Sequence, residues 1–393
     1  MSDAGAAVPA ALPQGVLVIA VTLCLCVTGT MIFKVLPLVV GAAANSYQLT
    51  AAQLGALASS DLAGIALASV LAPLWVRRVD WRLAARLALA LVVLGNLLSI
   101  VHMQLAPLLA VRFVTGLGEG TATGLALTIL GSTRNPDRNF GLAMAAPILL
   151  GMLGFRFLPA VVEQWGFGGV MAVFAAIAFI ILLTQQWLPR RAPVVQHTGP
   201  GDGTAGSLVF VALLATGLNH LAIGAVWAFV ERLGSAAGLA PDTVGSALAS
   251  AVMVGFFGAL AATVLAGRWG RGLPLVASVA GQLLALLLLA DPADPFTYTL
   301  AVCLFQFCWL YAGAYQLATI SLADTSGRFF VLTIAFQAGG ITLGPGLAGW
   351  LIGAAGFSAM LLLAAAAFGG SIVLYLGVLA AADRPARAAI VVV

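Results

Sequence analysis

Twelve stretches of mainly apolar residues run through this chain of 393 residues, at roughly 16–40, 51–76, 83–103, 105–130, 139–163, 166–188, 207–232, 243–266, 273–290, 297–320, 329–352 and 358–381. Each is near the length of a helix that crosses the hydrocarbon core of a bilayer, about 20 residues. Lipid offers no hydrogen bonds, so every backbone N–H and C=O in such a stretch must be paired within the protein, and successive segments of this length do that as helices. The expected fold class is therefore an all-α integral membrane protein with twelve transmembrane helices. Composition agrees: 62% of residues are hydrophobic, 8% are charged, and mean hydropathy is +1.11, more apolar surface than a soluble fold can bury. The net charge of +4 does not point to nucleic acid, because the basic residues lie in short clusters between apolar runs. Cys24, Cys26, Cys303 and Cys308 all fall inside apolar runs without metal-site spacing and read as reduced packing residues. Residues 1–15 carry no basic cluster, and no small-residue cleavage site follows the first run, so the first helix is expected to be retained.

The basic residues also set an orientation. With the N-terminus cytoplasmic, alternate loops hold Arg77, Arg78, Arg82 and Arg86, then Arg134 and Arg138, Arg190 and Arg191, Arg268 and Arg271, Arg328, and the tail residues Arg384 and Arg387. That places thirteen of the 17 basic residues on one side, so both termini are predicted to be cytoplasmic. Pro189–Gly206, rich in Pro, Gly and Thr, reads as a flexible connector between two six-helix halves, 1–188 and 207–393. A repeat supports that division. At a constant offset of 190 residues Leu49 matches Leu239, Gly55 matches Gly245, Arg78 matches Arg268, Arg138 matches Arg328, Gly154 matches Gly344, and Gly166-Phe167 matches Gly356-Phe357. An offset spanning six crossings gives two copies with the same direction through the membrane, the parallel type of repeat.

Against this apolar background the run Arg112-Phe-Val-Thr-Gly-Leu-Gly-Glu119-Gly120 stands out. A full charge at mid-membrane costs roughly 2.5–3.5 kcal/mol on insertion scales. Arg112, Gly116, Glu119 and Thr123 recur at helical spacing and share one face, which should look into protein or water, with its glycine admitting a close neighbour. Lys34, Asp61 and Arg156 complete a set of five charges inside first-half helices. Counted by helical rise, Lys34, Arg112 and Arg156 lie on the order of 10 Å from the outer side, Asp61 deeper and Glu119 deepest. Three cations against two acids leave one positive charge in excess, which suits an anionic substrate; protonation of Asp61 or Glu119 would change that balance by one unit. The alternative is structural: Lys34–Asp61 and Arg–Glu119 pairs tying helices together, with Arg156 snorkelling outward.

The chain resembles the major facilitator superfamily over essentially its full length. Leu74-Trp-Val-Arg77-Arg78-Val-Asp80-Trp-Arg82 is similar to a degraded copy of that family's cytoplasmic signature between helices 2 and 3, lacking its expected glycine and aspartate, and Gly267-Arg268-Trp-Gly270-Arg271 is a closer second copy. Arg112 followed by Gly116 and Gly118 resembles the fourth-helix motif, whose arginine is implicated in proton coupling in several members; for Arg112 that role is an implication of the resemblance. The antiporter signature of helix 5 ends in Gly-Pro. Here helix 5 reads Gly151-Met-Leu-Gly154-Phe-Arg156-Phe-Leu-Pro159, without it, while helix 11 carries Gly344-Pro345-Gly346. The resemblance implies two pseudo-symmetric six-helix bundles around a central cavity, rocking in alternating access, with Arg77, Arg78, Arg268 and Arg271 as cytoplasmic latches.

In the second half, Asn219 and His220 on helix 7, and Gln306, Trp309, Gly313 and Gln316 with Tyr311 and Tyr315 on helix 10, offer amide and aromatic groups for an organic substrate. Trp and Tyr near helix ends also serve as interfacial anchors, and a lone His is more often a packing residue than a proton carrier. Glu231 and Arg232 near the outer end of helix 7 read as interfacial. No phosphate-cradling loop is present, and His102, His197 and His220 are scattered, so neither ATP coupling, metal, cofactor nor enzymatic chemistry is expected. Gly116-x-Gly118-x-Gly120 follows no strand and reads as helix packing. The expectation is a proton-coupled secondary transporter of a small organic anion, a carboxylate or aromatic acid. Lys34, Arg112, Arg156, Asn219, Gln306, Trp309 and Tyr315 would bind substrate; Asp61, Glu119 and His220 would carry protons. Proton-antiport efflux of lipophilic compounds is the alternative, and a receptor or membrane enzyme without flux is a third. The expected setting is a bacterial inner membrane, with the protein working as a monomer.

Overall fold

The computed structural model describes residues 15–101, 104–133, 135–191, 207–265, 268–292, 294–324 and 332–390. Arg134, Arg328, His102, His197, Gly267 and positions 192–206 of the connector lie outside the described residues, as do the side chains of Arg384 and Arg387. The helices are α1 (Val16–Lys34), α2 (Leu36–Tyr47), α3 (Ala51–Trp75), α4 (Trp81–Ile100), α5 (Leu105–Gly131), α6 (Pro136–Thr184), α7 (Ser207–Ala236), α8 (Pro241–Val264), α9 (Gly272–Ala290), α10 (Pro295–Ala323), α11 (Leu332–Ala355) and α12 (Phe357–Ile390). Among the described residues, eleven stretches are long and apolar enough to cross a membrane, and α6, at 49 residues, has length for two crossings.

These helices do not map one-to-one onto the twelve apolar runs, for two local reasons. The first run is one crossing bent into α1 and α2: Val35 leaves helical geometry (φ −116°, ψ 23°), and Pro37 has no N–H to give the carbonyl of Phe33 one turn earlier. The fifth and sixth runs meet in α6 at Gly166, whose φ of +59° and ψ of −151° are not helical and are open to glycine, so α6 is two helices joined at a sharp bend. The repeat partner of Gly166, Gly356, adopts φ +76° between α11 and α12.

The 190-residue offset reappears in the packing. A Cβ at Gly55 would run into the carbonyl of Pro345, and one at Gly245 into the carbonyl of Phe155 (3.0 Å), so α3 meets α11 as α8 meets α6, at positions one offset apart. Arg78 N–H bonds the carbonyl of Trp75, and Arg268 N–H that of Leu265, in the same register.

The core is asymmetric along the helix axes. At the end away from the termini one buried cluster runs through both halves, from Met31–Ala44 and Phe155–Ala178 to Ala222–Leu233 and Val244–Val252. At the terminus-bearing end the first half holds its own core around Trp81, Leu125 and Ile129, and the second half holds separate ones around Tyr315, Tyr375 and Leu213. Among the described residues, the two halves thus share a buried cluster at one end and hold separate ones at the other.

Candidate functional site

Glycines bring the first-half charges together. Gly64 of α3 sits against the carbonyl of Phe113, Gly116 of α5 against that of Asp61, and Gly120 against that of Ile65; a side chain at any of the three would force α3 and α5 apart. At that separation Asp61 and Arg112 meet. Arg112 Nε donates to Asp61 Oδ2 at 2.8 Å, Nη2 lies 2.6 Å from the same oxygen, and Nη1 donates to Asn96 Oδ1 of α4 (2.8 Å) and lies 3.4 Å from Met171 Sδ. Both charged residues are buried, Arg112 to 1% exposure. Glu119, two turns along α5, is 0% exposed, and neither carboxylate oxygen has a hydrogen-bond partner among the described residues. Asp61 Oδ1 is likewise unpartnered. Two acids and one arginine therefore share a dry region in which charge can be balanced for one acid at a time.

Lys34 stands apart from this group. The Lys34–Asp61 pairing weighed from the sequence does not form, because Asp61 is taken by Arg112, and no acid lies within ion-pairing distance of Lys34 among the described residues. Instead Lys34 lines a narrow gap between the halves with Phe33, Ile148, Trp227, Val252, Gln306 and Trp309. The gap holds about 20 Å³, room for about one water. Its walls interlock edge to face: Phe33 to Trp309 at 5.9 Å, Trp227 to Trp309 at 6.2 Å and Phe155 to Trp227 at 5.9 Å. Trp227 Nε1 donates to the carbonyl of Phe33 at 3.0 Å, the one to which Pro37 offers no N–H. The break in the first crossing and the cross-half contact are thus one feature.

Other expected site residues lie elsewhere. Arg156 does not face Lys34 and Arg112: it is exposed beside Phe157, on the α6 face that also exposes Leu149 and Leu153, because the opposite face is filled by Gly151, Gly154 and Phe155 packing on the neighbouring helices. Tyr315 belongs to the second-half core at the terminus-bearing end with Tyr311 and Tyr375, away from the Lys34 gap. Asn219 is buried with both side-chain atoms unpartnered among the described residues, and His220 Nδ1 bonds the carbonyl of Thr216 at 2.9 Å. Arg77, Arg78 and Arg268 are exposed at the terminus-bearing end, where Arg82 Nε holds the carbonyl of Leu188 at 2.6 Å. Sequence reasoning missed Asn96, the lone amide of its apolar run, and Trp227, which sits inside a run where an interfacial Trp would sit at its end.

Beyond the Lys34 gap, toward the end away from the termini, a cavity of about 620 Å³ opens between the halves, lined among others by Asn45, Phe155, Glu163, Glu231, Ser235 and Asp242. The Phe155–Trp227 pair stands between gap and cavity.

Solved structures with this arrangement decide what kind of fold it is. The chain superposes on the nucleoside transporter NupG with TM-score 0.70 at 14% identity, covering 93% of this chain and 97% of that one. It superposes on a D-xylose–proton symporter with TM-score 0.72 at 12% identity, covering 92% and 97%. The fold is that of the major facilitator superfamily. A third structure with this fold, a bacterial homolog of the human lysosomal transporter Spinster in an inward-facing and unoccupied conformation, gives TM-score 0.63 at 17% identity over 93% of this chain and 96% of that one. A family profile described as "Sugar (and other) transporter" matches residues 25–132, the part of the facilitator fold that contains Lys34, Asp61, Arg112 and Glu119. No curated protein matches the sequence.

Proposed function

We propose that this protein is a secondary active transporter that works by alternating access and couples proton movement to transport of a small organic anion. The observation that carries the reading is Lys34, a cation without an acid partner among the described residues, in an aromatic gap between the two halves. When the halves part and the gap widens, an anion entering there supplies the missing charge, Trp227 and Trp309 offer ring faces to a planar body, and Gln306 offers directional hydrogen bonds. Arg112, committed to Asp61 and Asn96, acts in this reading with Asp61 and Glu119 on the proton, not on the substrate. A proton taken up by either acid changes the charge around Arg112 by one unit, within a helix pair that packs on the rest of the first half. The core shared by both halves at one end and divided at the other supports a state closed away from the termini. With the termini cytoplasmic, as the arginine distribution predicts, that state faces the cytoplasm of a bacterial cell. The lipid bilayer and a small-molecule substrate are the partners, and one chain suffices for the cycle.

The test is a thermal-shift and flux series on purified protein with carboxylates, aromatic acids, sugars and nucleosides. A ligand that binds the folded state raises the melting temperature by mass action. Anions should stabilise the wild type and lose that effect in Lys34→Gln, while Arg156→Gln should keep it. Anion transport that survives intact in Lys34→Gln sinks the assignment. A second reading, a neutral sugar or nucleoside as substrate, draws on the family profile and on the names of the structural neighbours. It is favoured if sugars or nucleosides stabilise wild type and Lys34→Gln alike.

A further inference from the structure

Glu231 is a half-buried acid in a place the transport reading does not use. It lies on α7 one turn before the outer end, against α2 of the other half, where Gly41 has no side chain and a Cβ would occupy the position of Glu231 Oε2. Its Oε1 accepts from the hydroxyl of Ser235 at 2.9 Å, and its Oε2 is buried with no donor among the described residues. The neighbouring cation, Arg232, points its Nη1 at Asn45 Oδ1 of α2, 3.2 Å away. The other titratable groups around it supply no positive charge: Tyr298 of α10, whose hydroxyl donates to the carbonyl of Val230, and Glu163 of α6 and Asp242 of α8, which line the same cavity of about 620 Å³. The contact of α7 on α2 thus closes around a carboxyl group with one oxygen satisfied and one not. A neutral acid fits this site with a single unmet acceptor. A carboxylate there has Arg232, turned toward Asn45, as its nearby cation but no direct ion pair, and its buried Oε2 is better served by water, which the adjoining cavity supplies once α2 and α7 separate.

We propose that Glu231 is a second proton-binding group of the protein, placed at the outer gate: protonated, it lets α2 and α7 close there; ionised, it drives them apart. The proposal uses the alternating closure of the two ends from the transport reading, but none of its assignments at Lys34, Asp61 or Glu119. Its geometry predicts that the outer end closes at low pH and opens at high pH without any substrate.

The experiment is pulsed electron paramagnetic resonance on reconstituted full-length protein with its four cysteines replaced by alanine. One spin-label pair, at Gln164 and Ala237, reports the outer end, and a second, at Arg78 and Arg268, reports the terminus-bearing end. Between about pH 5 and about pH 9 the outer distance should lengthen in the protein with Glu231 intact and stay short in Glu231→Gln. Ser235→Ala, which removes the donor to the ionised oxygen and leaves the carboxyl in place, should move the midpoint to higher pH. An outer distance that does not change with pH when Glu231 is intact overturns the proposal, and so does a Glu231→Gln protein that titrates like its parent. Distances that respond to substrate but not to pH sink Glu231 alone. Distances that respond to neither sink alternating access as well.

Discussion

Arg112 and Asp61 form the one buried ion pair among the described residues, a costly contact to disturb. Removing one partner of a buried ion pair leaves the other charge without compensation, at a cost of about 3–5 kcal/mol, whereas replacing both with apolar groups of similar volume is often neutral or stabilising. Arg112→Ala should therefore lower the melting temperature strongly and abolish transport, while Arg112→Met with Asp61→Leu should recover the melting temperature and leave transport absent. Scanning calorimetry with a flux assay separates the two effects; a double variant that transports would remove the pair from the mechanism. The residues of this group were legible because a charge in an apolar run has few reasons to be there. Their pairing was not. Helical rise put Lys34 and Arg112 at similar depth, and rise cannot tell which of two cations faces Asp61. That depends on the α3–α5 separation, set by Gly64 and Gly116, which brings Asp61 within reach of Arg112 and leaves Lys34 to the other side of the bundle. The outward direction of Arg156 was hidden for a related reason. Depth is one coordinate and azimuth is another, and the azimuth of Arg156 follows from which face of α6 packs on the neighbouring helices.

At the scale of elements the glycines are the working parts. Gly55 and Gly245, one repeat apart, let α3 and α8 approach α11 and α6 to backbone contact. Ser59 adds a cross-half link: its hydroxyl donates to the carbonyl of Thr342 at 2.6 Å and accepts from the N–H of Gly346 at 2.9 Å, entering the hydrogen-bond ladder of α11 beside Pro345. Gly55→Leu cannot keep this packing. It should hold the outer ends apart, so that the Gln164–Ala237 label distance is long at every pH, with little loss of helix content by circular dichroism; an unchanged distance would mean that α3 and α11 do not form the outer seal. Gly166→Ala tests the bend in α6. A backbone at positive φ costs a residue with a side chain about 1–3 kcal/mol, and a Cβ at Gly166 would also press on Ser46 Oγ, the acceptor for the Phe167 N–H, so Gly166→Ala should lower the melting temperature more than Gly356→Ala, where a Cβ meets nothing. Trp227→Phe keeps most of the aromatic packing but removes the donor to the carbonyl of Phe33. Its expected effect is a weaker seal between gap and cavity, seen as faster uncoupled leak in proteoliposomes, with a modest fall in melting temperature because the carbonyl of Phe33 loses its donor.

Over the whole molecule the expected motion exchanges the shared core from one end to the other. Substrate binding at Lys34 should shorten the distance between labels at Arg78 and Arg268 while lengthening the outer pair, and a ligand that moves both pairs in the same direction would contradict a rocking motion. The repeat made much of this architecture readable in advance. The 190-residue offset and the alternation of arginine-bearing loops follow from the linear order of residues, and the contacts of Gly55 and Gly245 reproduce that offset in space.

The sequence by itself determined that this protein is a bundle of membrane-crossing helices built from a duplicated unit, because lipid leaves an apolar stretch of about 20 residues little choice but the helix. It also determined which residues are too polar for their surroundings to be there by accident. Only the tertiary structure decided how those residues pair, which end of the bundle is closed, and that one carboxyl, Glu231, is clamped between the halves with an oxygen unmet. The physical reason is that hydrophobicity acts on each segment independently, through its own contact with lipid or water. Pairing, closure and an orphaned oxygen depend on the azimuth and separation of helices far apart in the chain, which side-chain volume at a few glycines sets and no single segment encodes.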